Sequence, residues 1–251
     1  MARNGDGLRV APSRHDLFSL TALVLVGGLG TRLRPVTGGL PKVLATVAGR
    51  PFLDHLLSYL RAQGVSDVVL CTGYASERVA DYCGSGERWG LRIRFSVEHK
   101  PLGTGGAIKN AREFISSSPF LVLNGDSLVW ADLAQLVQFH GVKRAQISIV
   151  LVNAKDQKRF GAVLLGKGDS IVGFEEKGRD GSGTINAGIY LFERSVLESI
   201  PAEGSVSVEK DVFPLYAGKG LYGFIVSGPF IDIGTPDSLT LAQTILTARS
   251  A

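Results

Sequence analysis

The chain has 251 residues and an apolar fraction of 45%, enough for one large α/β domain or two small ones around a sizeable core. Its net charge of +4 comes without a basic stripe or aromatic-interleaved patch, which argues against nucleic acid and suits small anionic substrates held by a few placed cations. Its two cysteines, Cys71 and Cys83, lack metal-site spacing and are too few for a disulfide framework, so free thiols in a reducing cytoplasm are expected.

No apolar run reaches the roughly 18 residues of a membrane span. Residues 1–18 are polar, contain Gly and Arg, and lack the apolar core of a signal peptide, so a disordered leader is expected before a single domain over 19–251. Residues 21–26 are an apolar, β-branched run that reads as a buried parallel strand. The turn Gly27, Gly28, Leu29, Gly30 follows, then Arg32, Arg34 and Lys42. Small residues let backbone N–H groups approach a ligand, and fixed cations beyond them suit phosphate. A dinucleotide fingerprint fails here because Leu33 stands where its third glycine belongs. The nearest match to a P-loop, residues 161–168, ends in Gly168 where a metal-binding hydroxyl is required.

Residues 51–63 place Leu53, Leu56, Leu57 and Leu60 on one helical face, with Pro51 at the start and Gly64 at the end. Strands are expected at 67–71, 91–97, 119–123 and 146–152, and helices at 76–82, 103–115 and 132–140. Strands alternating with helices imply a parallel sheet. Between 160 and 192 the pattern changes to short strands, GAVLL, SIVGFEE and TINAGIYLF, divided by Gly-rich turns. These read as a partly antiparallel lobe beside the site. A helix at 208–217, strands at 220–226 and 230–233, and a last helix at 236–248 capped by Thr235 complete the chain.

Ligands of open α/β sheets bind beyond the carboxyl ends of the strands. The Gly27 turn, the Gly103 turn, Asp126 in LNGDS and Asp232 in FIDIG all fall at such ends. Two carboxylates on rigid strands beside a phosphate loop can share one Mg²⁺.

The string GGLGTRLRPVTGGLPK resembles the signature loop of the sugar-1-phosphate nucleotidyltransferases. The likeness runs on through GRPFLDHLLSYL, EHKPLGTGGAI, LNGDSL, FEEK, NAGIYLFE and FIDIGTPDSL. It implies a Rossmann-like, mixed but mostly parallel sheet flanked by helices, with a small β-rich sugar-binding lobe. It also implies Mg²⁺ as cofactor on Asp126 and Asp232, with Arg32 and Lys42 steadying the triphosphate and the leaving pyrophosphate. Nucleotide contacts carried over by motif are Leu25, Gly27, Gly28, Gly30, Thr31, Glu98, Gly103 and Thr104. Sugar-phosphate contacts are Gly161, Glu176, Lys177, Asn186 and Gly188.

By the same resemblance, Glu98 sits where thymidylyltransferases of this fold carry a base-reading Gln. A carboxylate can accept from both N1–H and the amino group of guanine, which favours GTP, although uridylyltransferases with a similar string exist. Within the family, PLGTGGAI, FEEK and FIDIGTP most resemble D-glycero-D-manno-heptose 1-phosphate guanylyltransferases, as does the absence of a β-helix extension. GTP and a sugar 1-phosphate are the partners expected, with a product serving capsule or other surface polysaccharide. The same reaction with mannose 1-phosphate, or with UTP and another sugar phosphate, is the alternative, and a non-catalytic nucleotide-sugar-sensing subunit is a remote one. Oligomeric state is not readable from the residues, and a homodimer is one form open to the chain.

Overall fold

A computed structural model describes residues 17–155, 159–175 and 181–250. The expected leader lies outside these residues except at its end, where Leu17 is fully buried in the core. Ordered packing is therefore already present at residue 17, two positions before the expected domain start.

Strand β1 (Thr21–Leu25) is buried on both faces, which is why TALVL is continuously apolar. A loop follows it to a short β-ribbon and helix α1 (Phe52–Gln63), which ends at Gly64 in the left-handed conformation. Leu53, Leu56, Leu57 and Leu60 are all buried, as the spacing predicts. Then come β2 (Asp67–Thr72), α2 (Ser76–Cys83), β3 (Arg92–Val97), α3 (Gly103–Asn110) and β4 (Phe120–Asn124). The chain continues through β5 (Ser127–Val129), α4 (Leu133–Lys143), β6 (Ile147–Ala154), β7 (Val163–Leu165), β8 (Ile171–Phe174) and β9 (Gly183–Phe192). It closes with β10 (Leu221–Val226), β11 (Phe230–Asp232) and α5 (Pro236–Ser250). Thr235 and Ser238 cap α5 reciprocally: each backbone N–H donates to the other's hydroxyl.

Among the described residues a seven-stranded sheet runs in the order β10-β6-β9-β4-β1-β2-β3. Strand β9 is antiparallel to both neighbours, and every other adjacent pair is parallel. Alternate side chains feed two cores. Ala22 and Val24 pack with α1 and α5 on one face, while Leu23 packs with α3 and the aromatic group Phe120, Tyr190, Phe192 and Phe213 on the other. Strand order reverses between β1 and β4, so a crevice opens beyond their carboxyl ends.

Three expectations need correction. TINAGIYLF does not belong to a separate lobe: as β9 it enters the central sheet, because its last residues are buried on both faces. The lobe keeps the β7–β8 hairpin. The helix expected at 103–115 stops at Asn110 and resumes as a 3₁₀ turn at Arg112–Phe114. The helix expected at 208–217 is a five-residue π turn, Val208–Val212, followed by one short α-helical turn, Phe213–Tyr216.

Cys71 and Cys83 are free and buried, and burial pushes both thiols up to about 12. His55 and His140 are buried structural groups: His55 Nε2 lies 2.8 Å from the Val47 carbonyl, and His140 Nδ1 lies 2.8 Å from the Ser148 hydroxyl. Burial holds both below their ordinary value of 6.5, although Glu193 pulls His140 the other way. A depressed histidine favours the fold fully above pH 6.5, and that contribution is lost as pH falls through the folded value. Thermal midpoints should therefore decline between pH 6.5 and 5 and stay level from 6.5 to 8. A midpoint unchanged down to pH 5 would contradict the neutral assignment.

Candidate active site

Two adjoining clefts lie beyond the strand ends. The first, of 530 Å³, is walled by Leu25 and the Gly27, Gly28 and Gly30 turn after β1, by Gly73 after β2, by Glu98 after β3, and by Gly103 and Thr104 at the start of α3. The second, of 520 Å³, is lined by Arg32, Arg159, Asn186, Gly188, Glu209 and Asp232. Asn124 and Asp126 at the end of β4 belong to both.

Glu98 forms the floor of the first cleft at its β2–β3 side. A Cβ added at Gly27 would lie 2.5 Å from its Oε1, and one at Gly73 would lie 2.7 Å from the same atom. The carboxylate thus rests against two bare backbones, and a side chain at either glycine would displace it. Burial raises its pKa, opposed by the Leu102 N–H that donates to Oε2 at 3.2 Å. Gly73 escaped sequence reading, though a glycine right after the DVVLCT strand was a signal of the same kind as Gly27.

The two acidic residues converge through a pairing that neither motif contains. Strand β11 runs antiparallel to β5 with Asp232 opposite Ser127, and the Ile233 N–H donates to the Asp126 carbonyl at 2.9 Å. Each carboxylate carries one cation. Lys42 Nζ donates to Asp126 Oδ2, and Arg159 Nη2 donates to Asp232 Oδ1 at 2.7 Å. Arg159, whose guanidinium also lies over the Phe160 ring at 5.2 Å, sits in no motif used above. No group of three or more His, Cys, Asp or Glu is placed to hold a metal among the described residues. Two hard carboxylates are nonetheless the donor set suited to Mg²⁺, which keeps several waters and completes its shell with substrate phosphates.

Asn186 and Gly188 reach the second cleft because β9 bulges there, its register shifting between Asn186 and Tyr190. Gly188 has φ of 77°, and a Cβ on it would lie 2.4 Å from Ser127 Oγ, so both backbone and space demand glycine.

Most of the expected residues line these two clefts. Arg32 is exposed and lines the second cleft but not the first. Thr31 is exposed and lines neither, and Gly161 is buried beside Phe160 without lining either. Glu176 and Lys177 lie outside the described residues.

Comparisons with known proteins bear on the family and the fold. A model of the nucleotidyl transferase family matches residues 21–249. A mannose-1-phosphate guanylyltransferase of Mycobacterium tuberculosis is 44% identical, the match covering 86% of this chain and 61% of that protein. The chain thus spans about three fifths of that relative's length. A D-glycero-alpha-D-manno-heptose 1-phosphate guanylyltransferase of Aneurinibacillus thermoaerophilus is 37% identical over 89% of this chain and 97% of its own. The crystal structure of HddC from Yersinia pseudotuberculosis complexed with GMP-PN has a TM-score of 0.81 at 33% identity, covering 90% of this chain and 99% of that one. A glycine turn and a basic loop after β1, an acidic residue after β4 and a family match over residues 21–249 carry one conclusion: the chain belongs to the nucleotidyl transferase family.

Proposed function

We propose that this protein transfers GMP from GTP to a manno-configured sugar 1-phosphate, releasing pyrophosphate. The acceptor we favour is D-glycero-α-D-manno-heptose 1-phosphate, and mannose 1-phosphate is second because a relative of that name shares 44% identity. The observation that carries the reading is that two clefts of similar size meet at Asp126. One has the glycine turn and the half-buried Glu98 carboxylate; the other has Arg32, Arg159, Asn186 and Glu209.

In this reading GTP occupies the first cleft. Glu98 accepts from N1–H and the amino group of guanine, and the Gly27 turn lies along the phosphates. The sugar 1-phosphate occupies the second cleft and is already largely dianionic at neutral pH, its second pKa being about 6. Its oxygen forms a bond to the α-phosphorus as the bond from that phosphorus to the bridging oxygen breaks. No side chain needs to remove a proton; the protein's task is alignment and charge neutralisation. Lys42 and Arg32 supply fixed positive charge on the two sides of the junction. Asp126 and Asp232 would hold Mg²⁺, which when bound neutralises phosphate charge. The thiols, the substrates and the expected use of a GDP-sugar in capsule or lipopolysaccharide fit a cytoplasmic enzyme. No helix among the described residues is long and apolar enough to cross a membrane. A homodimer is compatible with this reading, which needs residues of one chain only.

The test is a panel of nucleoside triphosphates against sugar 1-phosphates, read by pyrophosphate release. GTP with one of the two manno sugars should give the highest kcat/KM; a preference for UTP or for a gluco sugar would overturn the assignment. In the same assay Glu98→Gln should raise the KM for GTP by about tenfold or more. The amide keeps one acceptor and turns an NH₂ toward a guanine donor. An unchanged KM would remove Glu98 from base reading.

A further inference from the structure

Asn186, implied above as a sugar contact, is already engaged by the protein. An amide has two N–H donor sites and one carbonyl oxygen. Its Nδ2 donates to Tyr190 Oη at 3.0 Å and to Glu209 Oε1 at 3.3 Å. Its Oδ1 accepts the Gly188 N–H at 2.9 Å. Both donors are therefore committed before any ligand arrives.

Glu209 differs. It is exposed and lines the second cleft. It is an acceptor-only group with about four lone-pair sites, and Asn186 uses one of them. Among the described residues it has no ion pair, whereas Asp126 and Asp232 in the same cleft each hold a cation. A carboxylate in that condition repels a phosphate and suits a pair of hydroxyl donors.

Its backbone is set in advance. Glu209 lies in the π turn Val208–Val212, a feature found frequently at functional sites. The segment leading into that turn is fastened to the nucleotide side. Val206 O accepts the Gly105 N–H at 2.8 Å, and the Val208 N–H donates to Thr104 Oγ1 at 2.8 Å. The Ser207 hydroxyl and the Asp211 carboxylate close the turn on itself.

We propose that Glu209 reads adjacent hydroxyls of the sugar ring, and that Asn186 is a positioning residue that acts through it. The proposal rests on the sugar 1-phosphate acceptor reading above and assigns its specificity to a residue outside every motif. The ligand class is a pyranose 1-phosphate with neighbouring free hydroxyls, which donate while Glu209 accepts.

The experiment uses the full chain, with steady-state kinetics and calorimetric titration of mannose 1-phosphate and of its 2-, 3- and 4-deoxy analogues. Glu209→Gln should raise the KM and Kd for the sugar phosphate about 10- to 100-fold, the range for a hydrogen bond to a charged group. The KM for GTP should stay within about threefold, and thermal melts should confirm folding. One deoxy analogue that binds poorly to the unaltered protein should lose little more in Glu209→Gln. Asn186→Ala combined with Glu209→Ala should bind no worse than Glu209→Ala alone, since one acts through the other. An unchanged sugar KM, equal loss of GTP and sugar binding, or additive penalties from the two alanine variants would each overturn the proposal. If the unaltered protein uses neither manno sugar 1-phosphate in the panel, the acceptor reading itself falls, and this proposal with it.

Discussion

Asp126→Asn is expected to lower kcat by about a thousandfold with little change in the KM for GTP. The carboxylate sits where the two clefts join, and it is the partner of Lys42. Asparagine preserves shape and volume but removes the negative charge. That loss has two effects on the same junction. A divalent ion would lose one of its two acidic ligands, whose share of transition-state stabilisation is about 4 kcal/mol, or three powers of ten in rate. Lys42, largely shielded with 16% of its side chain exposed, would lose its counter-ion and turn to other anions nearby. Neither effect touches the core, since Asp126 is itself 35% exposed. The thermal midpoint should move by only a few degrees. Turnover within tenfold of the unaltered protein, measured by pyrophosphate release at saturating substrates, would remove Asp126 from the chemistry. Unfolding of the variant at 25 °C would show instead that the ion pair with Lys42 is structural.

Phe192→Ala should carry the largest stability effect. The ring is fully buried at the end of β9, where it stacks on Phe120 with centroids 5.7 Å apart. It also meets Tyr190 at 6.1 Å and Phe213 at 6.3 Å. Its removal loses the transfer free energy of the ring and leaves a cavity among neighbours that are themselves rigid and aromatic. Such truncations cost about 3–5 kcal/mol. For a chain of this size that corresponds to a midpoint lowered by about 6–20 °C. Phe213 follows the π turn that carries Glu209, so the same variant should weaken sugar binding more than GTP binding. A shift below about 2 °C would mean that the aromatic cluster repacks freely.

How much of this was readable from residues alone follows from the range of each interaction. Helix α1 was readable because four leucines at helical spacing and two punctuating residues, Pro51 and Gly64, are local facts. Strand β1 and its glycine turn were readable for the same reason. Strand β5 was missed: three residues, Ser127–Val129, are too few for a periodic signal, and the strand exists only because β11 pairs with it. The placement of TINAGIYLF in a lobe failed because alternation in the run does not say which neighbours it will have. Burial between β4 and β6 decided that. Arg159, Gly73 and Glu209 belong to no string with a chemical meaning of its own. Each acquires a role from what stands opposite it.

The residues by themselves determined the family loop, the glycines that keep backbone open, and the acidic residues that follow apolar strands. All of these are properties of neighbouring positions on one stretch of chain. Only the tertiary structure decided that Asp232 lies beside Asp126, that Lys42 and Arg159 answer them, and that a bulge and a π turn bring Asn186 and Glu209 together. The physical reason is that such contacts join segments scores of residues apart. Their energy comes from sheet pairing and shared burial, which no short window of sequence contains.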